Sequence, residues 1–193
     1  LYEQAIRNID KQIKSVYDNY SVKGILDVSE LQKALNPNEK ALFLANLERQ
    51  AKILGLDPKK IYDQRYLWRL NRLEAIKEQI KLEVMSTAPR EEAISKRAYS
   101  NVAKESYKNM QSDFAKQGIT PAFSTLDTDT TEAILKSRWY GGNYSTRIWS
   151  NTSKMAVQLP TILGGALSSG ESYQTTSRTL RDRFGVRLYE ATR

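Results

Sequence analysis

The apolar residues of the first twenty positions recur in steps of three and four, which is the spacing of one face of an α-helix. They are Tyr2, Ile6, Ile9, Ile13, Val16 and Tyr20. Similar stripes return along the chain between short helix-breaking segments, and the sequence contains no long alternating pattern of the kind that marks a β-strand. We therefore expect a mainly α protein, built of long helices joined by short turns.

One segment carries a strong helix start signal. The sequence "NPNE" places Asn36 at the N-cap, Pro37 in the first helical turn and Glu39 at the position that completes a capping box. Leu44, Leu47, Ala51 and Leu54 then follow at helical spacing. This pattern predicts a helix that ends at Gly55.

Two further start signals follow in the N-terminal half. Asp57 as a cap and Pro58 in the first turn predict one helix that runs to about Met85. After it, Thr87 is the expected cap of a long helix that ends at Gly118. The first 118 residues are therefore expected to form an extended helical hairpin or bundle.

The composition changes after Gly118, where the sequence becomes rich in Thr, Ser and Pro. This change predicts a long-helix region over 1–118, a linker over 119–128 and a smaller helical domain over 129–193. The expected helices of the smaller domain are about 129–138, 145–169 and 172–184. Gly170 and Gly185 are the expected stops of the last two, and a further helix is expected to begin after Gly185.

The chain contains no cysteine and no histidine. This composition excludes disulfides, thiolate nucleophiles and metal sites that need imidazole or sulfur ligands. The C-terminal carboxylates form no close repeated pair and are explained as surface charges or caps; they are Glu132, Glu171, Asp182 and Glu190. We therefore expect no enzyme, no cofactor, no metal site and no small-molecule substrate.

The net charge is +8, with 30 Lys and Arg against 22 Asp and Glu. Such an excess favours an anionic partner, either nucleic acid or an acidic protein surface, although a charge of this size also serves solubility. The densest basic cluster consists of Arg178, Arg181, Arg183 and Arg187. It is a candidate phosphate-contacting surface, and a solvated helix face explains it equally well because Asp182 interrupts it.

The stretch Trp139–Asn151, "WYGGNYSTRIWSN", is unusual in its density of aromatic residues. It lacks the spacing of a dinucleotide-binding fingerprint, and the segment before it is an amphipathic helix rather than a buried strand. Gly141 and Gly142 can supply the positive φ that ends that helix, and Asn143 or Ser145 can cap the next one. The stretch is thus interpreted as a joint between two helices.

The large side chains of this joint have expected roles. Trp139 and Trp149 would pack across it, and truncation of Trp149 to Ala, as the deletion of a buried aromatic side chain, would cost about 3–5 kcal/mol. Tyr144 begins the apolar stripe of the following helix, in which Gly164 and Gly165 would allow close approach of another helix and Pro160 would produce a kink. Arg147 is expected to fix the joint through its five donors, with a contact to a nucleic-acid phosphate as the alternative.

The C-terminal part resembles the minor head protein family of tailed bacteriophages, the head-morphogenesis proteins similar to the Mu F protein. The resemblance covers residues 139–193. It is carried by the glycine- and serine-containing segment "SSGES", the basic helix "TSRTLRDRFGV" and a motif composed of Trp139, Gly141, Gly142, Asn143, Tyr144, Arg147 and Trp149. It implies a minor capsid protein present in few copies in the virion, made in the cytoplasm of the bacterial host. The implied partners are portal and capsid proteins, together with packaged DNA.

Two alternatives remain open at this stage. The chain could be a basic helical module that binds nucleic acid, or the non-catalytic part of a phage-borne toxin or effector. The second alternative follows from the expectation that the chain is a piece of a longer protein, because the family's domain continues past the position of Arg193. No apolar run approaches the eighteen residues of a membrane span and the first residues lack a signal-peptide core, so we expect neither.

Overall fold

The computed structural model describes residues 1–57, 69–119, 125–138 and 141–191, with side chains described as far as Gly185 in the last range. The described chain is mainly helical, which confirms the predicted class. Its helices are α1 (Tyr2–Tyr20), α2 (Val28–Leu31), α3 (Pro37–Leu54), α4 (Arg72–Met85), α5 (Thr87–Lys116), α6 (Thr128–Lys136), α7 (Tyr144–Ser168) and α8 (Tyr173–Ala191). Strands β1 (Ser21–Val22) and β2 (Ile25–Leu26) form a short antiparallel hairpin.

The hairpin follows α1 at the point where the sequence predicts the end of that helix. Lys23 and Gly24, the two residues between the strands, both have positive φ, at 54° and 79°. A type I′ hairpin turn requires positive φ at both of these positions. The sequence does not predict this hairpin because strands of two residues are too short to show an alternating pattern.

The predicted capping box of α3 is confirmed. The Asn36 side chain accepts a hydrogen bond from the Glu39 backbone N–H at 2.9 Å, and the Glu39 carboxylate accepts one from the Asn36 N–H at 2.7 Å. Gly55 ends the helix in the left-handed conformation, with φ at 68°. The local sequence therefore determines both ends of α3.

The prediction of one helix from Pro58 to Met85 is wrong. Pro58 lies outside the described residues, and α4 begins only at Arg72. The reason is a second capping box, in which Asn71 accepts from the Glu74 N–H at 2.8 Å and the Glu74 carboxylate accepts from the Asn71 N–H at 3.1 Å. The spacing of Asn71 and Glu74 repeats that of the first box, so the signal was present in the sequence.

The start of α5 also differs from its prediction. Thr87 is the first residue of the helix rather than its cap, and its hydroxyl donates to the Val84 carbonyl at 2.7 Å. Pro89 lies in the first turn of α5. The backbone N–H groups of a first turn have no acceptor within the helix, so proline, which lacks an N–H, costs no helix hydrogen bond there.

The described chain divides into two compact units, residues 1–89 with 152–193 and residues 90–151. In the first unit, α4 is buried on two sides. Ile76, Ile80 and Val84 belong to a core shared with α1, α7 and α8, whereas Ala75 and Leu82 pack in a second core with α3. A helix that is covered on both sides lacks a single apolar stripe, which is why its boundaries were hard to predict.

Helices α1 and α8 bring the two ends of the chain together in this unit. The rings of Tyr2 and Phe184 lie 6.3 Å apart, and those of Tyr17 and Tyr173 lie 5.8 Å apart. The start of α1 thus contacts the later part of α8, and the end of α1 contacts the start of α8, so the two helices are antiparallel. The compact units therefore do not coincide with the predicted division at Gly118. The reason is that α8, a C-terminal helix, covers the apolar stripe of α1. Sequence periodicity predicts the stripe but does not identify the helix that covers it.

The glycines of α7 and α8 have different roles. Gly170 ends α7 with φ at 69°, as predicted. The predicted stop at Gly185 is wrong, because α8 continues through it to Ala191, and Leu180 and Phe184 anchor that helix in the core. A glycine inside a helix costs only about 1 kcal/mol relative to Ala, which such anchoring offsets.

Gly164 allows the close helix approach that the sequence predicts. A Cβ atom at this position would lie 2.9 Å from Cδ of Lys77 on α4, whereas one at Gly165 would meet nothing within 4 Å. Only the first of the two glycines is therefore required by packing. Pro160 lies inside α7 and is buried.

A polar cluster around Arg72 connects four helices of the first unit. Its guanidinium donates to the Glu39 and Glu30 carboxylates, both at 2.8 Å, and its Cζ lies 4.6 Å from the ring centroid of Tyr20. The Tyr20 hydroxyl donates to Glu39 as well. Burial and this hydrogen bond to a carboxylate raise the pKa of Tyr20 to about 12.

Candidate interaction surfaces

The glycine joint of the "WYGGNYSTRIWSN" stretch has the predicted capping geometry. Gly141 adopts a φ of 87°. Asn143 is the cap of α7, since its side-chain oxygen accepts from the backbone N–H and from the hydroxyl of Thr146, both at 2.9 Å. The prediction of a positive φ at Gly142 is wrong, since Gly141 alone of the two adopts one. A Cβ at Gly142 would make an ordinary van der Waals contact with the Thr146 side chain, at 3.5 Å. The described part of the stretch, from Gly141 to Asn151, thus forms a turn and the start of α7.

Two aromatic residues of the joint contact α5. The ring of Tyr144 meets that of Tyr99 edge-on, with centroids 5.5 Å apart. The indole N–H of Trp149 donates to the Glu92 carboxylate at 3.0 Å. Burial and the nearby Glu92 charge raise the pKa of Tyr144. These contacts attach the start of α7 to the first half of α5.

The side chain of Trp149 is partly buried. Trp139 lies outside the described residues, and its packing across the joint stays a prediction. Sequence reasoning missed Glu92 as the partner of Trp149. Its signal in the sequence is that it lies in a run of charged residues on α5, the helix that the joint contacts.

Arg147 lies in the first turn of α7 with an exposed side chain. Its backbone N–H donates to the Asn143 carbonyl at 3.2 Å, which is the first hydrogen bond of the helix. Its predicted role in fixing the joint stays a prediction.

Exposed ion pairs lie beside the joint. Lys96 of α5 contacts Glu132 of α6 at 3.1 Å, and Glu132 also contacts Lys136 at 3.2 Å. These hydrogen bonds lower the pKa of the Glu132 carboxyl, and the bond to Glu132 raises the pKa of Lys96. Both shifts stabilise the charged forms, so the carboxylate is unsuited to exchange protons near neutral pH.

Helix α5 leaves its apolar residues uncovered. Only Thr87 and Ala88 are buried among its residues, all of which the structure describes. The exposed fractions of its large apolar side chains range from 38% to 60%; these residues are Ile94, Tyr99, Val102, Met110 and Phe114. Four of them form an apolar stripe at the spacing of one helix face; they are Tyr99, Val102, Met110 and Phe114. The stripe is therefore a surface, which we call the α5 apolar face, rather than part of a core.

The structure separates the predicted arginine cluster. Arg178, Arg181 and Arg183 are all exposed. At 3.6 residues per turn, the first two lie about 60° apart around α8, whereas Arg183 lies about 140–160° from either. The Arg187 side chain lies outside the described part. The three described arginines therefore do not share one face, because Arg183 lies on another side of α8.

One carboxylate is deeply buried, and sequence reasoning missed it. Glu83 of α4 is 4% exposed and accepts from the Asn8 amide at 2.6 Å and from the Gln50 amide at 2.5 Å. Both partners are neutral donors on other helices, and they satisfy one oxygen each. The arrangement ties α1 and α3 to α4, which is a structural role.

The described residues contain no cluster of three or more acidic side chains that could hold a metal ion. Within the same residues, no helix has both the length and the apolar character needed to cross a bilayer. In comparisons with known proteins, no family model, no curated protein and no solved structure matches the chain.

Proposed function

We propose that the chain is a structural and interaction protein of a phage particle, a minor capsid protein that acts in head morphogenesis at or near the portal. The observation that carries the proposal is the α5 apolar face. A single protein rarely leaves such a row of large apolar side chains in water unless another protein covers it. The resemblance of residues 139–193 to the minor head family supplies the identity of that partner, a portal or capsid protein.

The attachment of the joint to α5 supports this proposal. Tyr144 and Trp149 belong to the motif that carries the resemblance. Both contact the N-terminal half of α5, and most residues of the α5 apolar face lie further along the helix. The motif residues therefore hold the helix that presents the surface. This is a positioning role and requires no catalytic chemistry.

Co-sedimentation with portal assemblies and procapsids tests the proposal. Val102→Glu places a charge in the α5 apolar face, where the native side chain is 59% exposed. Leu42→Glu is the matched control, because Leu42 is an exposed apolar residue on α3. We expect the control to co-sediment like the unaltered protein and Val102→Glu to remain in the supernatant. Failure of the unaltered protein to co-sediment with either assembly would refute the proposal.

A second candidate function is non-specific binding of nucleic acid. It is favoured by the net charge of +8 and by the exposure of Arg178 and Arg181 on one side of α8. In a phage particle the two functions are compatible, because a protein inside the capsid lies next to packaged DNA.

A further inference from the structure

Helix α1 carries a row of cations that the sequence analysis did not single out. Arg7, Lys11 and Lys14 follow one another at steps of four and three, so they lie within an arc of about 60° on the helix. All three side chains are exposed. The same spacing that marks an apolar stripe thus marks a basic one on the outer side of α1.

This row lies beside the exposed arginines of α8. Asp10 of α1 accepts hydrogen bonds from Ser177 at 2.6 Å and from Tyr173 at 3.0 Å. Arg7 and Lys14 are each one turn from Asp10. Arg181 lies one turn from Ser177 and 4.0 Å from the Asp10 carboxylate, and Arg178 lies one turn before Arg181. The two sets of cations therefore meet at this contact.

The carboxylates at the seam between the helices are already engaged. Asp10 accepts the two hydroxyl groups and lies 4.0 Å from the Arg181 guanidinium. Glu3 pairs with Arg7 at 3.7 Å. Asp18 lies one turn beyond Lys14 on α1, and Asp182 lies one turn beyond Arg178 on α8. Within the described residues, no carboxylate forms an ion pair with Lys11, Lys14 or Arg178.

We propose that this surface, the α1–α8 basic face formed by Arg7, Lys11, Lys14, Arg178 and Arg181, binds the phosphate backbone of duplex DNA without sequence specificity. Arg183 is excluded from it, because it lies on another side of α8. The proposal deepens the second candidate function, and it rests on the proposed phage function only for the choice of duplex DNA as the polyanion.

The dimensions of the face suit a phosphate backbone. Successive cations of α1 rise about 6 Å and about 4.5 Å along the helix, and packed helices lie about 8–10 Å apart. Phosphates of one DNA strand rise about 3.4 Å each along the duplex axis, so the cations of one row fall between one and two phosphate steps apart. Lys and Arg side chains are long enough to adjust to the difference. A helix with acidic residues at the same steps offers charges at the same spacing, so the choice of duplex DNA rests on the proposed function, which places the chain beside packaged DNA.

The test is a titration of a fluorescent 30-base-pair duplex, followed by anisotropy between 50 and 200 mM NaCl. The variant Lys11→Ala/Lys14→Ala/Arg178→Ala removes three cations that form no ion pair within the described part of the chain, and it leaves the Asp10 contacts intact. Each lost phosphate contact reduces the slope of log K against log salt by about 0.9. Over this four-fold salt range, the unaltered protein should lose about forty-fold more affinity than the variant.

A control variant removes the same charge from exposed positions away from the face. It is Lys52→Ala/Lys154→Ala/Arg183→Ala. We expect it to retain the salt slope of the unaltered protein, and circular dichroism checks that both variants remain folded. Equal loss of binding in the two variants would overturn the proposal, because net charge alone would then account for it.

Two further outcomes would also overturn the proposal. One is no DNA binding by the unaltered protein at 50 mM salt. The other is displacement of DNA by polyglutamate at equal charge concentration, which would assign the face to an acidic protein. Neither outcome affects co-sedimentation with portal or procapsid, so the failure of this inference is distinguishable from failure of the proposed function.

Discussion

Truncation of Trp149 tests the attachment of the joint to α5. An indole buries about 150–250 Å² when fully covered, so a half-buried one loses about 100 Å² on truncation to Ala, or about 2.5 kcal/mol at 25 cal/mol per Å². The hydrogen bond to Glu92 adds about 1 kcal/mol, the lower part of the range for bonds to charged groups because the pair is partly exposed. We therefore expect Trp149→Ala to lower the free energy of unfolding by about 2–4 kcal/mol.

The hydrogen bond can be separated from the packing of the ring. Trp149→Phe keeps most of the apolar surface and removes the N–H donor, and Glu92→Ala removes the acceptor. In a double-mutant cycle the two changes should show a coupling free energy of about 1 kcal/mol. Glu105→Ala is the matched control, since Glu105 is an exposed carboxylate further along α5, and its effect should add to that of Trp149→Phe.

Urea unfolding followed by far-ultraviolet circular dichroism is the suitable assay, because Trp149 is itself a fluorophore. A cost below about 1 kcal/mol for Trp149→Ala, together with no coupling to Glu92, would refute the assigned contacts. It would place the indole in solvent and reopen the interpretation of the stretch as a ligand-binding site.

Three smaller perturbations probe other parts of the structure. Asn71→Ala removes the cap of α4 and should lower the free energy of unfolding by about 0.5–2 kcal/mol in the same urea assay, whereas no change would refute the capping box. Gly165→Ala should raise the free energy of unfolding by up to about 1 kcal/mol, because a Cβ at this position meets nothing within 4 Å. Gly164→Ala should give a smaller gain or a loss, because the Lys77 side chain must move. Equal gains for the two variants would contradict the close approach of α7 and α4 at Gly164. The pKa of Tyr20 is raised to about 12 in the folded state, so folded protein holds its proton more tightly than unfolded protein does. The stabilisation is thus complete below about pH 10 and is lost as the pH rises towards 12. In an absorbance titration near 295 nm, the unaltered protein should show one phenol that ionises at a pH of about 12 and that Tyr20→Phe lacks. Identical titration curves above about pH 11 for the two proteins would contradict the raised pKa.

Helix ends with local signals were predictable from the sequence. The capping box at Asn36 and the stops at Gly55 and Gly170 depend on neighbours within one turn, so the sequence contains their causes. The predicted roles of Gly141 and Asn143 were correct for the same reason. Local rules thus predicted the joint, which is the centre of the resemblance.

Features that depend on distant partners were not predictable. The apolar stripes of α1 and α5 have the same spacing, yet the first is covered by α8 and the second is exposed. Periodicity predicts that a face exists and not which element covers it. Gly185 shows the same limit, because the burial of Phe184 keeps α8 helical where the local sequence predicts a stop.

Quantitative mass spectrometry of purified virions tests the central claim most directly. Under the proposed function the gene belongs to a phage or prophage, and the particles are those that it forms, separated from host protein on a density gradient. We expect peptides of this chain in DNA-filled particles, at a few copies for each portal assembly. Absence of the chain from these particles, with its peptides confined to the host cell fraction, would contradict its role as a minor capsid protein.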